Sequence, residues 1–204
     1  MADHRTLLST DVHEPKHISD STSADAGKVI TPSSAGNSEL RYLTPSEVGI
    51  NFVYGEAALD QNTTSFAIPS ATDTSLYTEA EYVQLNSART PATYLDHANG
   101  VTFEGATNSL IPSVGGDYRV HFWMNVESDT TNTKIGVKVK QNGTWCNFTT
   151  KTDIKESARV QNITGSIITT LTPASEVSLY MAADKNANIT VQDMRFYIEL
   201  IREA

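Results

Sequence analysis

The pattern of apolar and polar positions changes near residue 50. Beyond it, apolar residues alternate with polar ones. The longest run is DYRVHFWMNVES, residues 117–128, where Tyr118, Val120, Phe122, Met124 and Val126 share one face. Arg119, His121, Trp123, Asn125 and Glu127 share the other. A period of two over that length predicts a half-buried strand, because a helix would scatter the same residues around its axis. Gly115-Gly116, just before it, supplies a tight turn. Ile135, Val137 and Val139 then alternate with Gly136, Lys138 and Lys140, and QNGT, residues 141–144, reads as an Asn-Gly hairpin turn. Further strands are predicted with Ile163, Ile167 and Leu171 on one face, with Val177, Leu179 and Met181 inward, and with Met194, Phe196, Ile198 and Leu200 in register. DKNAN, residues 184–188, is a polar turn, and a phase shift at Gln192-Asp193 predicts a bulge. INFVYGEAAL, TSFAIPS and EYVQLN are shorter strand candidates. Many short strands without a helical stripe predict a two-sheet or closed antiparallel domain over 49–204.

The first 48 residues show no sustained period. Pro15, Pro32 and Pro45 and clusters such as SDSTSADAG predict an extended arm that is ordered by a partner. LTPSEVG can open a helical turn, with Thr44 as cap, Pro45 in the first position and Glu47 three residues after the cap.

Composition fits this division. Of 204 residues, 39% are hydrophobic and 19% charged, and the polar excess lies in Thr, Ser and Asn, which favour strands and turns. The net charge of −9 disfavours contact with nucleic-acid phosphates. The start of the chain carries no apolar leader segment, and no run approaches the length of a membrane span, so neither secretion nor membrane contact is expected. Asn-x-Thr triplets such as those at Asn147 and Asn188 are therefore read as unglycosylated. A single cysteine, Cys146, cannot form an internal disulfide and reads as a small buried hydrophobe.

NSLIPSVGGDYRVHFWMNVES resembles the strand-turn-strand signature of C1q/TNF-like jelly rolls, and ITGSIITTLTPASEVSLYMAADKNANITVQDMRFYIELI resembles their second half, with MRFYIELI in place of the usual closing Gly-Phe element. The resemblance covers most of residues 75–204, with extension back to about Ile50. It implies an all-β, TNF/C1q-like jelly-roll sandwich that trimerises and carries an extended N-terminal arm. HEPKHISDSTSADAGKVITPSSAGNSELRYLTPSEVG is similar to the N-terminal segment of tailed-phage virion proteins, with a His-x-Pro-Lys element followed by Ala-Gly-Lys-Val and small residues. That likeness implies a bacteriophage structural protein: a homotrimeric decoration (cement) protein or head fibre, bound to the major capsid protein on the outer capsid surface of the virion. His13, Glu14, Pro15, Lys16, His17, Lys28 and Val29 are the implied capsid-docking residues. The alternative is a tail-fibre or receptor-binding tip that takes host-surface glycans.

Other chemistry fits these residues less well. His13 and His17 would share a helix face as zinc ligands, but Pro15 biases Glu14 to extended geometry, which parts the imidazoles; a metal would need copies meeting at a trimer axis. Glu14 and Lys16 lack the preorganisation that acid–base catalysis needs, and no glycosidase-like acid pair is recognisable. Asp129, Asp153 and Asp184 lack calcium-loop spacing and read as solvated turn acids. The expectation is no enzyme, cofactor or metal. His121, Trp123, Tyr180 and Tyr197 all fall on the polar phase of their strands, where large aromatics need cover; they are the expected trimer interface.

Overall fold

A computed structural model describes residues 29–32, 40–43, 52–94 and 98–204. The chain divides into two units, Met1–Asn51 and Phe52–Ala204. In the first, β1 (Val29–Pro32) and β2 (Leu40–Leu43) pair antiparallel, with Val29 opposite Leu43 and Pro32 opposite Leu40. The arm thus contains a two-stranded ladder that its missing periodicity did not announce, since four residues are too few to establish a pattern. Pro32 sits at a strand end, where its missing N–H costs least. The helical turn expected at Thr44–Glu47 lies outside the described residues.

The second unit is a sandwich of two antiparallel sheets. The first sheet runs β11 (Thr144–Trp145), β10 (Thr133–Gln141), β14 (Val177–Ala183), β8 (Ser109–Pro112), β7 (Val101–Glu104), with β12 (Thr150–Ile154) also on β10 and β5 (Val83–Gln84) on β14. The second runs β13 (Gln161–Leu171), β9 (Gly116–Ser128), β15 (Ala187–Glu203), β3 (Tyr54–Leu59), β6 (Thr93–Tyr94), with β4 (Ser65–Ile68) on β15. The helical structure among the described residues is one 3-10 turn, Glu79–Glu81.

The alternation seen in sequence is the inside–outside alternation of the sheets. Tyr118, Val120, Phe122, Met124 and Val126 are fully buried, as are Ile135, Val137 and Val139 opposite them. Leu179, Met181, Phe196 and Ile198 complete this layer. Removing one such side chain, for example Phe122→Ala, costs about 3–5 kcal/mol through lost burial and the cavity left behind. Gly165 lies on the same inner face, where an added Cβ would come within 2.6 Å of the Phe122 ring. The Tyr118 hydroxyl is satisfied by donating to the Val114 carbonyl at 2.8 Å, and desolvation pushes its pKa up to about 12.

Two irregular places match the expected turn chemistry. Asn142 and Gly143 both take positive φ (46° and 78°), as a tight primed turn between β10 and β11 requires. In β15 the register shifts between Val191 and Asp193, so that Val191 and Met194 both point inward. Asn62 caps this bulge: its backbone N–H donates to the Gln192 carbonyl and its side chain to the Val191 carbonyl, both at 2.9 Å.

Candidate functional site

The sandwich has two outer faces, and both carry aromatic side chains. On the second sheet, β9 and β15 form a long ladder whose outward partners face each other. Asp117 meets Arg202, Arg119 meets Glu199 at 2.5 Å, and Asn125 donates to Asp193 at 3.0 Å. Between these polar rungs lie His121 and Tyr197, cross-strand partners stacked with ring centroids 4.9 Å apart. Trp123 is opposite Arg195 on the next rung. Arg195 is held away by Asp60 at 2.8 Å and Glu56 at 3.6 Å. His121, Trp123 and Tyr197 are each half-buried. Beside them, the outward side of β13 carries Thr164, Ser166, Ile168 and Thr170, and Ile168 is 63% exposed.

Carboxylates frame this face in fixed positions. The Thr170 hydroxyl and then Arg202 lower the Asp117 pKa, and the Gln61 backbone N–H and then Asn125 lower that of Asp193. Hydrogen bonds to the ionised form cause both shifts.

The outer face of the first sheet is different. Lys134, Gly136, Lys138 and Lys140 point outward from β10, and residues 71–82 lie across them. Leu76 and Tyr82 seat directly on Gly136, where an added Cβ would come within 2.5 Å of the Tyr82 hydroxyl oxygen. That hydroxyl donates to the Leu76 carbonyl at 2.8 Å, and burial raises its pKa. Trp145 packs edge-on against Tyr180 at 4.8 Å and Tyr82 at 5.8 Å. Lys138, with a side chain only 7% exposed, lies over Tyr82 and Trp145 and reaches Glu79 at 3.3 Å. Lys140 lies over Trp145 and Tyr180.

The four residues expected to form one aromatic face are therefore divided. His121, Trp123 and Tyr197 come together on the second sheet; Tyr180 belongs to the first, packed against Trp145 and Lys140. Grouping Tyr180 with the others is corrected: period two separates inside from outside but does not say which sheet a strand joins. Sequence reasoning missed the 71–82 segment as a cover. Its signal was Gly136 among outward lysines, a gap that a neighbouring chain segment fills. Of the residues expected to dock on a capsid, His13, Glu14, Pro15, Lys16, His17 and Lys28 lie outside the described residues, and Val29 opens β1.

Cys146 is buried, and desolvation raises its pKa, which keeps it a thiol at neutral pH. The turn acids serve as local acceptors. Asp129 binds Asn188, Asp184 accepts the Lys134 backbone N–H at 2.8 Å, and Asp153 pairs with Lys155 at 3.4 Å. Among the described residues, no group of three His, Cys, Asp or Glu side chains is placed to hold a metal ion.

No protein-family model matches the chain, and no curated protein matches it in sequence. Solved structures do match. The chain is similar to the Eiger TNF of S. frugiperda at 8% identity and a TM-score of 0.50, over 75% of this chain and 94% of that one. It is also similar to the globular domain of zebrafish complement 1qA, at 14% identity, a TM-score of 0.49 and 74% and 99% coverage. Murine APRIL, at 10% identity and a TM-score of 0.48, covers 74% of this chain and all of its own. The fold is a TNF/C1q-like jelly roll. At these identities the likeness concerns architecture, so function has to be argued from this chain's own surfaces.

Proposed function

We propose that the chain is a non-enzymatic structural module that assembles as a homotrimer through the open face of the second sheet. The observation that carries this reading is the half-buried cluster of His121, Trp123 and Tyr197, set among ion pairs and still part-exposed among the described residues. Aromatics at the centre of a polar-rimmed face are the composition of an interface core. The strand beside them points the same way. Gln161–Leu171 is the outermost strand of its sheet, and its eleven residues include neither a charge nor a proline. Such an edge invites pairing unless another surface covers it. A ring of three copies can set this strand of one subunit against the aromatic face of the next.

The trimer is, in this reading, a decoration (cement) protein or head fibre on the outer capsid surface, held to the major capsid protein by residues 1–48. The support is the arm's similarity to tailed-phage virion segments. Three arms on one trimer act at high effective concentration, which raises avidity by about 10²–10⁴ without new kinds of contact. Deleting residues 1–20 and measuring incorporation into heads and tails separately tests the assignment. Loss from heads with tails unaffected is expected; loss from tails alone overturns it.

A further inference from the structure

The first sheet carries a second feature that self-association does not use. A cleft of about 320 Å³ opens between the loop at 73–78 and the β10–β12 edge, lined by Ser75, Tyr77, Lys134, Lys151, Thr152 and Asp153. That volume is at the small end of ligand sites and suits one or two sugar-sized rings. Its chemistry departs from that of the molecule: the chain carries a net charge of −9, yet five of its eight lysines, Lys134, Lys138, Lys140, Lys151 and Lys155, fall within 22 consecutive residues around this sheet. Two of them line the cleft against one carboxylate.

The groups are held in place. The Asp73 carboxylate accepts the backbone N–H groups of Ser75 at 2.8 Å, Tyr77 at 2.7 Å and Thr78 at 3.0 Å, and these hydrogen bonds fix the loop. Glu81 accepts from Thr72 at 2.6 Å and braces the loop's other end. Tyr77 is 67% exposed, a large aromatic presented on a fixed loop. Lys151 Nζ lies 3.4 Å from its ring centroid and donates to the Ser75 carbonyl; Lys134 Nζ donates to the Thr74 carbonyl at 3.3 Å. An ammonium has three protons, so one backbone hydrogen bond each leaves donors for a ligand.

We propose that this cleft binds a carboxylated sugar. The lysines receive the carboxylate, Asp153 and Thr152 hydrogen-bond the hydroxyls, and the part of the exposed Tyr77 ring that Lys151 does not cover packs against the apolar C–H side of the pyranose. A bare anion would use the lysines and leave Tyr77 and Asp153 idle; a neutral sugar would leave the lysines without a counter-charge. The cleft lies on the sheet opposite the proposed trimer face, so occupancy and assembly are compatible, and the failure of either leaves the other standing.

The test is titration of the full chain with glucuronic acid, N-acetylneuraminic acid, glucose and inorganic sulfate, followed by the backbone amide signals of residues 74–77 and 151–153. At least one of the two acids is expected to give saturable shifts in the millimolar range, with glucose about tenfold weaker or more. Lys151→Gln is expected to weaken the acid by about tenfold while leaving the melting temperature unchanged within error. Tyr77→Ala is expected to weaken the acid but not sulfate. No saturable shift with either acid overturns the proposal, as do equal binding of glucose, sulfate binding that matches the sugars with wild-type and Tyr77→Ala alike, or Lys151→Gln binding at full strength.

Discussion

On the outer face of the first sheet, residues 71–82 pack down and bury Tyr82, while Trp145 and Tyr180 stay part-exposed; on the second, His121, Trp123 and Tyr197 are all part-exposed. Tyr82 and Trp145 lie among residues 71–82, Lys138 and Lys140, with Leu76 fully buried beneath them. His121 and Tyr197 stack on each other, with Trp123 on the next rung, inside a rim of ion pairs. Both faces come from the same alternation, so their difference is one of cover. Residues 71–82 partly close the outer face of the first sheet, and assembly is proposed on the second.

The largest effect separates the faces by assembly. Trp123→Glu would replace an aromatic at the centre of each interface with a charge, costing about 3–5 kcal/mol, and is expected to return the protein to single chains by native mass. Tyr180→Glu, on the opposite sheet, is expected to leave the assembly intact. The reverse pattern would move the interface to the first sheet.

Next comes the cover itself. Gly136→Val pushes a side chain into the space of the Tyr82 hydroxyl and Leu76, and is expected to destabilise the fold by about 3 kcal/mol in chemical denaturation. Lys138→Ala is expected to cost about 2 kcal/mol, through loss of its aromatic contacts and its hydrogen bond to Glu79. Lys138→Met, which keeps most of the stem, should recover part of that loss.

Acid acts on both faces. The Asp73 pKa is lowered by the N–H of Tyr77 first and then Ser75, on the covered side; those of Asp117 and Asp193 are lowered on the open side. A carboxylate whose folded pKa lies below its unfolded value, about 3.9 for Asp, stabilises the fold above that value. The contribution is lost as pH falls through the folded pKa. Urea midpoints should therefore be flat near neutrality with respect to these groups and decline below about pH 4. Asp73→Asn should remove its share of that decline.

The smallest effect is expected at the rim. Arg119 and Glu199 are 47% and 39% exposed, and Arg119→Ala should change stability by no more than about 1 kcal/mol.

Much of the sandwich was readable from the alternation alone, because burial on one face of a sheet imposes period two on the sequence. The Asn142-Gly143 turn and the bulge near Gln192 were readable too, the first from residue chemistry and the second from the break in phase between Val191 and Met194. The pairing of strands left a weaker trace. Tyr180 and Trp123 have the same sequence signature and lie on different sheets, because sheet membership is set by contacts remote in sequence. Asn62 reads as an ordinary polar loop residue, yet it caps a bulge 129 residues away. The Lys134–Lys151 cleft was invisible for the same reason: its residues come from β10, β12 and a loop nearly 60 residues upstream, and no local spacing links them.

The central claim is that the open face of the second sheet is built to be covered by further copies of the chain. Native mass of the full chain across a range of protein concentrations tests it most directly. The expected result is the mass of three 22.2 kDa chains, persisting on dilution. A single chain at every concentration, with tryptophan fluorescence unchanged on dilution, would contradict it.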